Sequence, residues 1–137
     1  MNRVAVFGTF DIFHPGHTSF LKQAKKQSDY LLAIVARDIN VEKVKGTLPT
    51  NFETKRGEVV RQQKIADKVV LGSKTHNYFR TLRTYKIDKI VLGYDQKPTI
   101  FELRKQLKRH RLPHVTVTRV RAYNPSKFKS SKLLNNV

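Results

Sequence analysis

Ten residues near the start of the chain, Gly8-Thr9-Phe10-Asp11-Ile12-Phe13-His14-Pro15-Gly16-His17, carry the groups best suited to handling phosphate. A glycine at a strand exit lets backbone N–H groups come close to an anion. A helix that starts just beyond it adds unpaired N–H groups and the positive end of its dipole. His14 and His17 stand three apart, so both rings can face that end. An imidazole there donates a hydrogen bond to phosphate, more strongly when protonated. A lone histidine would read as a cap or a packed ring. Two of them, bracketing Pro15-Gly16 after a strand–glycine turn, point instead to a site beside the phosphates of a nucleotide.

The elements that must hold these residues follow from apolar patterning. Residues 4–7 form a short apolar run stopped by Gly8, as in a buried strand with a sharp exit. Pro15 suits the first position of a helix, whose buried side would carry Phe13, Phe20, Leu21 and Ala24. Residues 30–36 are continuously apolar, like a parallel strand covered on both faces. Residues 37–50 read as a long polar, irregular connection, a kind that is more often functional than idle. A second helix is expected over residues 52–65, with Thr50 or Asn51 as its cap and Glu53 near its positive end. Short strands follow at residues 68–71 and 89–92, stopped by Gly72 and Gly93. Between them Tyr78, Phe79, Leu82 and Tyr85 are spaced as on a helix face. A helix over residues 99–110, a strand over 115–120 and a short final helix from Ser130 complete the chain.

Strands alternating with helices indicate βαβ units and right-handed crossovers. The expected fold is α/β, a Rossmann-like three-layer α/β/α arrangement with a central parallel sheet of about five strands. Ligands in such sheets bind at the carboxyl ends of the strands, where strand order reverses. The residues after Gly8, Gly72 and Gly93 should therefore meet at one site.

The 137 residues suffice for one domain, expected to span 1–137, with an adequate core. There is no cysteine, which removes disulfide scaffolds, thiol nucleophiles and cysteine-bound zinc. The longest apolar run is too short to cross a bilayer, and no targeting segment is evident at Met1-Asn2-Arg3. A cytoplasmic protein without membrane insertion is expected. Charge is lopsided: 28 Lys plus Arg against 10 Asp plus Glu give +18, and no acidic residue follows Glu102. Such a surface attracts nucleic acid, anionic membrane or phosphorylated small molecules, and composition does not choose among them.

The segment from Gly8 to His17 resembles the G-x-F-D-x-x-H-x-G-H pattern of the cytidylyltransferase-like nucleotidyltransferases, a Rossmann-like superfamily. Val35-Ala36-Arg37-Asp38 with residues 41–46, and Leu92-Gly93-Tyr94-Asp95-Gln96, most resemble the small archaeal-type FAD synthases. Glycerol-3-phosphate cytidylyltransferases share the same plan. The family joins a nucleoside triphosphate to a phosphate or similar nucleophile and releases pyrophosphate. A phosphate monoester is already anionic at neutral pH, so the reaction needs alignment and positive charge rather than a strong base.

The resemblance implies roles for particular residues. His14 and His17 would contact the triphosphate, with Gly8, Thr9, Phe10 and Asp11 forming the loop around the nucleotide. Lys45 resembles the family's phosphate-binding lysine, with Lys43 as its competitor, and Arg56 matches an arginine near the acceptor phosphate. Gly93 and Asp95 would contact ribose and base. Ser130 and Ser131, in Phe128-Lys129-Ser130-Ser131-Lys132, resemble an I-S-T-T-K type segment that binds the β- and γ-phosphates. Asn124 stands where the family has an arginine by simple counting, so Arg121 or Arg119 would have to substitute. Magnesium, or another divalent metal, would be held mainly by substrate phosphates, with Asp11 as a candidate for its water shell.

The leading expectation is a magnesium-dependent adenylyltransferase that makes FAD from FMN and ATP. Its flavin slot would use Phe52, Tyr78 or Tyr123. The alternative within the class is CTP with glycerol 3-phosphate. From another class, a basic nucleic-acid-binding module would use residues 104–121, but no RRM, KH or zinc-finger pattern supports it. The family often forms homodimers, and apolar surface beside Phe101 or Tyr78 is the candidate contact. Gly72-Ser73-Lys74-Thr75 lacks the spacing of a P-loop, and Pro113 interrupts His110 and His114 as a zinc pair.

Overall fold

Apolar runs and glycine stops translate into alternating strands and helices in a computed structural model that describes residues 1–75 and 77–123. In chain order these are β1 (Arg3–Gly8), α1 (Pro15–Lys26), β2 (Tyr30–Val35), α2 (Asp38–Lys45) and α3 (Glu53–Gln62). They continue with β3 (Lys68–Leu71), α4 (Tyr78–Thr84), β4 (Lys89–Leu92), α5 (Ile100–Arg109) and β5 (Thr116–Arg119). The strands form one parallel sheet in the order β3-β2-β1-β4-β5. The expected fold class is the observed one. Order reverses between β1 and β4, so their carboxyl ends part and leave a crevice beyond Gly8 and Gly93.

Each face of the sheet buries its own apolar set. Ala5, Leu32, Ile34, Ile90 and Leu92 pack with Phe79 and Leu82 of α4 and Leu103 and Leu107 of α5. On the other face Val4, Val6, Leu31, Ala33, Val35 and Val91 pack with Leu21 and Ala24 of α1 and Val60 of α3. Burying each large aliphatic side chain contributes about 1.5–3 kcal/mol. Leu103 and Leu107, one turn apart and each 1% exposed, thus fasten α5 to the sheet. Thr99 caps α5, accepting from the Glu102 amide while Glu102 accepts from the Thr99 amide.

Two local features differ from the sequence expectation. The connection after β2 is not irregular, since α2 occupies eight of its residues and ends at Gly46, whose φ of 84° suits a helix C-terminus. Only Asn40 and Val41 of α2 are buried, so the helix writes almost no apolar period into the sequence. Nor do Thr50 and Asn51 cap α3: Phe52 holds the N-cap position without a side-chain bond. Its first turn is served from α2, because the Glu53 amide donates to Asp38 Oδ2 and the Asp38 amide donates to Glu53 Oε1. The two helices cap one another. The helix expected from Ser130 lies outside the described residues. No helix among the described residues is long and apolar enough to cross a membrane.

Candidate active site

The loop leaving β1 is shaped by a ring folded back on its own glycine. A Cβ on Gly8 would lie 2.6 Å from the Phe10 ring, so only glycine leaves that ring room. Phe10 itself is buried, and its φ of 53°, like 49° at Ile12, places two non-glycine residues in the left-handed region. The chain thereby turns sharply enough to deliver His14 to the start of α1.

At that start the two histidines cap the helix themselves. His14 Nδ1 accepts from the Gly16 amide at 3.0 Å, and the His14 amide donates to His17 Nδ1 at 3.3 Å. The rings stack with centroids 3.9 Å apart. Because each Nδ1 accepts, each ring carries its proton on Nε2. Burial, assisted by neighbouring His14, pushes the His17 pKa down to about 4, while burial lowers that of His14. His17 is therefore a neutral Nε2–H donor at physiological pH.

Of the two readings the sequence offers, capping is the one seen here, and the caps fix the tautomers. The expectation of unpaired helix-start amides is corrected. The Gly16 amide goes to His14 Nδ1 and the His17 amide to the His14 carbonyl, so neither is unpaired. The first turn of α1 contains no acidic residue to offset its dipole.

A polar cleft of about 470 Å³ opens at the β1/β4 crevice. It brings together Gly8, Thr9, Phe10, Asp11, His17, Lys45, Gly93 and Asp95, whose sequence positions span 88 residues. Lys45 reaches it from the last turn of α2, whereas Lys43 does not line it. His14 lies one step outside, in a shallow depression it shares with Lys22, Lys26 and Tyr123.

Asp11 acts as a latch. Its carboxylate accepts from the amides of Thr50 and Asn51 at 2.7 and 3.0 Å and from the Asn51 side chain at 3.2 Å. Burial alone would raise its pKa, but these bonds and the Arg56 charge hold it below the usual carboxylate range. Both oxygens are committed to the protein. Among the described residues no group of three or more His, Cys, Asp or Glu could hold a metal ion.

Arg56 is not where an acceptor phosphate could reach it. Its side chain is fully buried under the site, donating to the carbonyls of Thr9 and Asn51 at 2.7 and 2.9 Å and pairing with Asp38 at 2.6 Å. It ties the β1 loop to α2 and α3. Arg121 also lies away from the cleft, its backbone held by Gln23 of α1 and its side chain exposed. Arg119 spends its guanidinium on the carbonyls of Gly93, Gln96 and Pro98 and so braces the loop after β4. Gln96 adds a clasp across the crevice, accepting from the Gly93 amide and donating to the Phe7 carbonyl, both at 2.9 Å. These supporting roles had no sequence signal beyond the residue types. Ser130 and Ser131 lie outside the described residues. Of the aromatic residues expected around a flavin, Tyr78 lines an inner cavity, whereas Phe52 is 78% exposed.

Residues 5–136 match the family described as cytidylyltransferase-like. The chain belongs to that family. An FAD synthase from Thermococcus sibiricus is 37% identical over 135 residues, 98% of this chain and 91% of that one. An FAD synthase from Methanosarcina mazei is 46% identical over 114 residues, 82% of this chain and 73% of that one. Among solved structures, a lipopolysaccharide core biosynthesis protein from Thermoplasma volcanium superposes with a TM-score of 0.83 at 35% identity, covering 90% of this chain and 99% of that one. Family membership agrees with the resemblance carried by Gly8 to His17.

Proposed function

We propose that the chain is a cytoplasmic adenylyltransferase, one catalytic domain over residues 1–137, that joins ATP to FMN and releases pyrophosphate. The observation that carries the reading is the meeting of His17, Lys45 and Asp95 around one cleft at the reversal of strand order. Similarity to FAD synthases along nearly the whole chain supports the choice of ATP and FMN.

In this reading ATP enters with its magnesium as one substrate, triphosphate toward His14, His17 and Lys45 and ribose toward Gly93 and Asp95. An oxygen of the acceptor phosphate attacks the α-phosphorus; the bond to the β-phosphate oxygen breaks, and pyrophosphate leaves with that electron pair. No protein nucleophile or strong base is required. His17 donates through Nε2 and Lys45 contributes fixed charge, both stabilising the negative charge that develops on the leaving group. Neutral imidazole suits this role, since it donates without first having to bind a proton.

Pyrophosphate release, measured with ATP or CTP crossed against FMN or glycerol 3-phosphate, tests the reading. Turnover is expected with ATP and FMN. Turnover with CTP and glycerol 3-phosphate instead would keep the site and overturn the acceptor.

A further inference from the structure

Beside the polar cleft lies a second, smaller and more enclosed cavity of about 220 Å³. Its walls include Phe7, Ile34, Tyr78, Leu92 and Leu103, an apolar and aromatic set, and it shares Phe7, Gly8 and Gln96 with the cleft. Whole drug-sized ligands occupy roughly 300–1,000 Å³. This cavity therefore suits one ring system of a ligand whose remainder continues over Gly8 into the cleft.

One polar residue in that wall is incomplete. Asn40 of α2 is 7% exposed, and its Nδ2 donates to the Ser73 carbonyl at 2.8 Å. That bond sets the amide's orientation, because a flipped amide would press oxygen against oxygen. Asn40 Oδ1 is then left buried with no hydrogen-bond partner among the described residues. A buried acceptor without a donor costs about 1–3 kcal/mol, and it is the kind of exception that calls for an explanation. The bond to Ser73 accounts for the amide nitrogen and leaves the amide oxygen unexplained.

Resting on the reading above, we infer that this cavity holds the planar ring of the flavin acceptor, with Asn40 Oδ1 accepting from the ring's imide N–H. An isoalloxazine ring matches the site in three respects. It is flat, it can stack on Tyr78 or Phe7, and its imide N–H is a donor, which Asn40 Oδ1 lacks. Lys97, also in the wall, is a donor for the flanking ring carbonyls. The phosphate tail then crosses Gly8 toward His17 and Lys45. Asn40 is thereby a specificity-determining residue on the same helix that supplies Lys45.

The test compares FMN with FMN methylated at the imide nitrogen, by titration calorimetry with the full chain, in wild type and Asn40→Ala. Wild type is expected to bind the methylated ligand roughly tenfold or more weakly, the loss of one buried hydrogen bond. Asn40→Ala, with room for the methyl and no acceptor, is expected to bind both ligands within about twofold. Equal binding by wild type would overturn the assignment without reference to any variant, so the assignment stays falsifiable even where Asn40→Ala fails to fold. A preference that persists in Asn40→Ala, or a variant that loses ATP affinity while keeping that for FMN, would overturn it as well. Wild type that forms FAD but ignores the methyl group refutes the ring site alone; wild type that forms no FAD refutes the adenylyltransferase reading beneath it.

Discussion

Replacing Arg56 with methionine separates the two roles that sequence and structure assign to it. Its guanidinium holds the Thr9 and Asn51 carbonyls and the Asp38 carboxylate, and the side chain has no exposure. Removing one partner of a buried pair costs about 3–5 kcal/mol, because the other charge stays behind. Asp38 keeps its bond from the Glu53 amide and is 24% exposed, which places its share near the lower bound. The two stranded carbonyls raise the sum again by about 1 kcal/mol each. We therefore expect Arg56→Met to lose about 5 kcal/mol. Urea unfolding followed by circular dichroism reads this directly. With a slope of about 2 kcal/mol per molar, the midpoint falls by roughly 2.5 M with little change in slope. Arg56→Lys should fall in between, keeping charge but losing the fork. An unshifted midpoint together with a strongly raised KM for the acceptor would refute the structural role and restore the phosphate contact.

Three further outcomes follow from the geometry around the cleft. His17, with its pKa lowered to about 4 from an ordinary 6.5, binds a proton less readily folded than unfolded. Its contribution to stability is complete above about pH 6.5 and is lost as pH falls toward 4, on the order of 3 kcal/mol, so His17→Gln should flatten that part of the acid-stability profile. Gly8→Ala drives a methyl into the Phe10 ring and should destabilise by about 1–3 kcal/mol while lowering kcat; unchanged thermal unfolding would contradict the packing. Gln96→Leu breaks the clasp between β1 and β4 and should cost about 1–2 kcal/mol. Its kinetics should show a raised KM for ATP, and wild-type values would remove the positioning role.

Much of this architecture is legible in the sequence because it depends on local pattern. β3 and β4 match their expected residues since each apolar run stops at a glycine, Gly72 or Gly93. The parallel sheet follows from alternating elements, and the cleft from Gly8 to His17. What the sequence does not reveal depends on contacts between distant parts of the chain. α2 escapes the pattern because it buries only two residues and is held by the Asp38–Glu53 exchange. Arg56 reads by resemblance as an arginine near the acceptor phosphate because nothing in its neighbours reveals a loop folded over it. Asp11 meets Thr50 across 39 positions, Gln96 meets Phe7 across 89, and no spacing rule reports such pairs. The histidines stand out by type and spacing, yet their reciprocal capping, which decides where their protons sit, needs the backbone geometry.

The central claim is transfer of an adenylyl group at the crevice lined by His17 and Lys45, with His14 beside it. The most direct measurement incubates the protein with FMN and ATP labelled at either the α- or the γ-phosphorus and follows where each label goes. The account predicts α-label in FAD, γ-label only in pyrophosphate, and neither product in His17→Asn despite a folded protein. Transfer of γ-label to the acceptor, or α-label reaching FAD at an undiminished rate in His17→Asn, would contradict it.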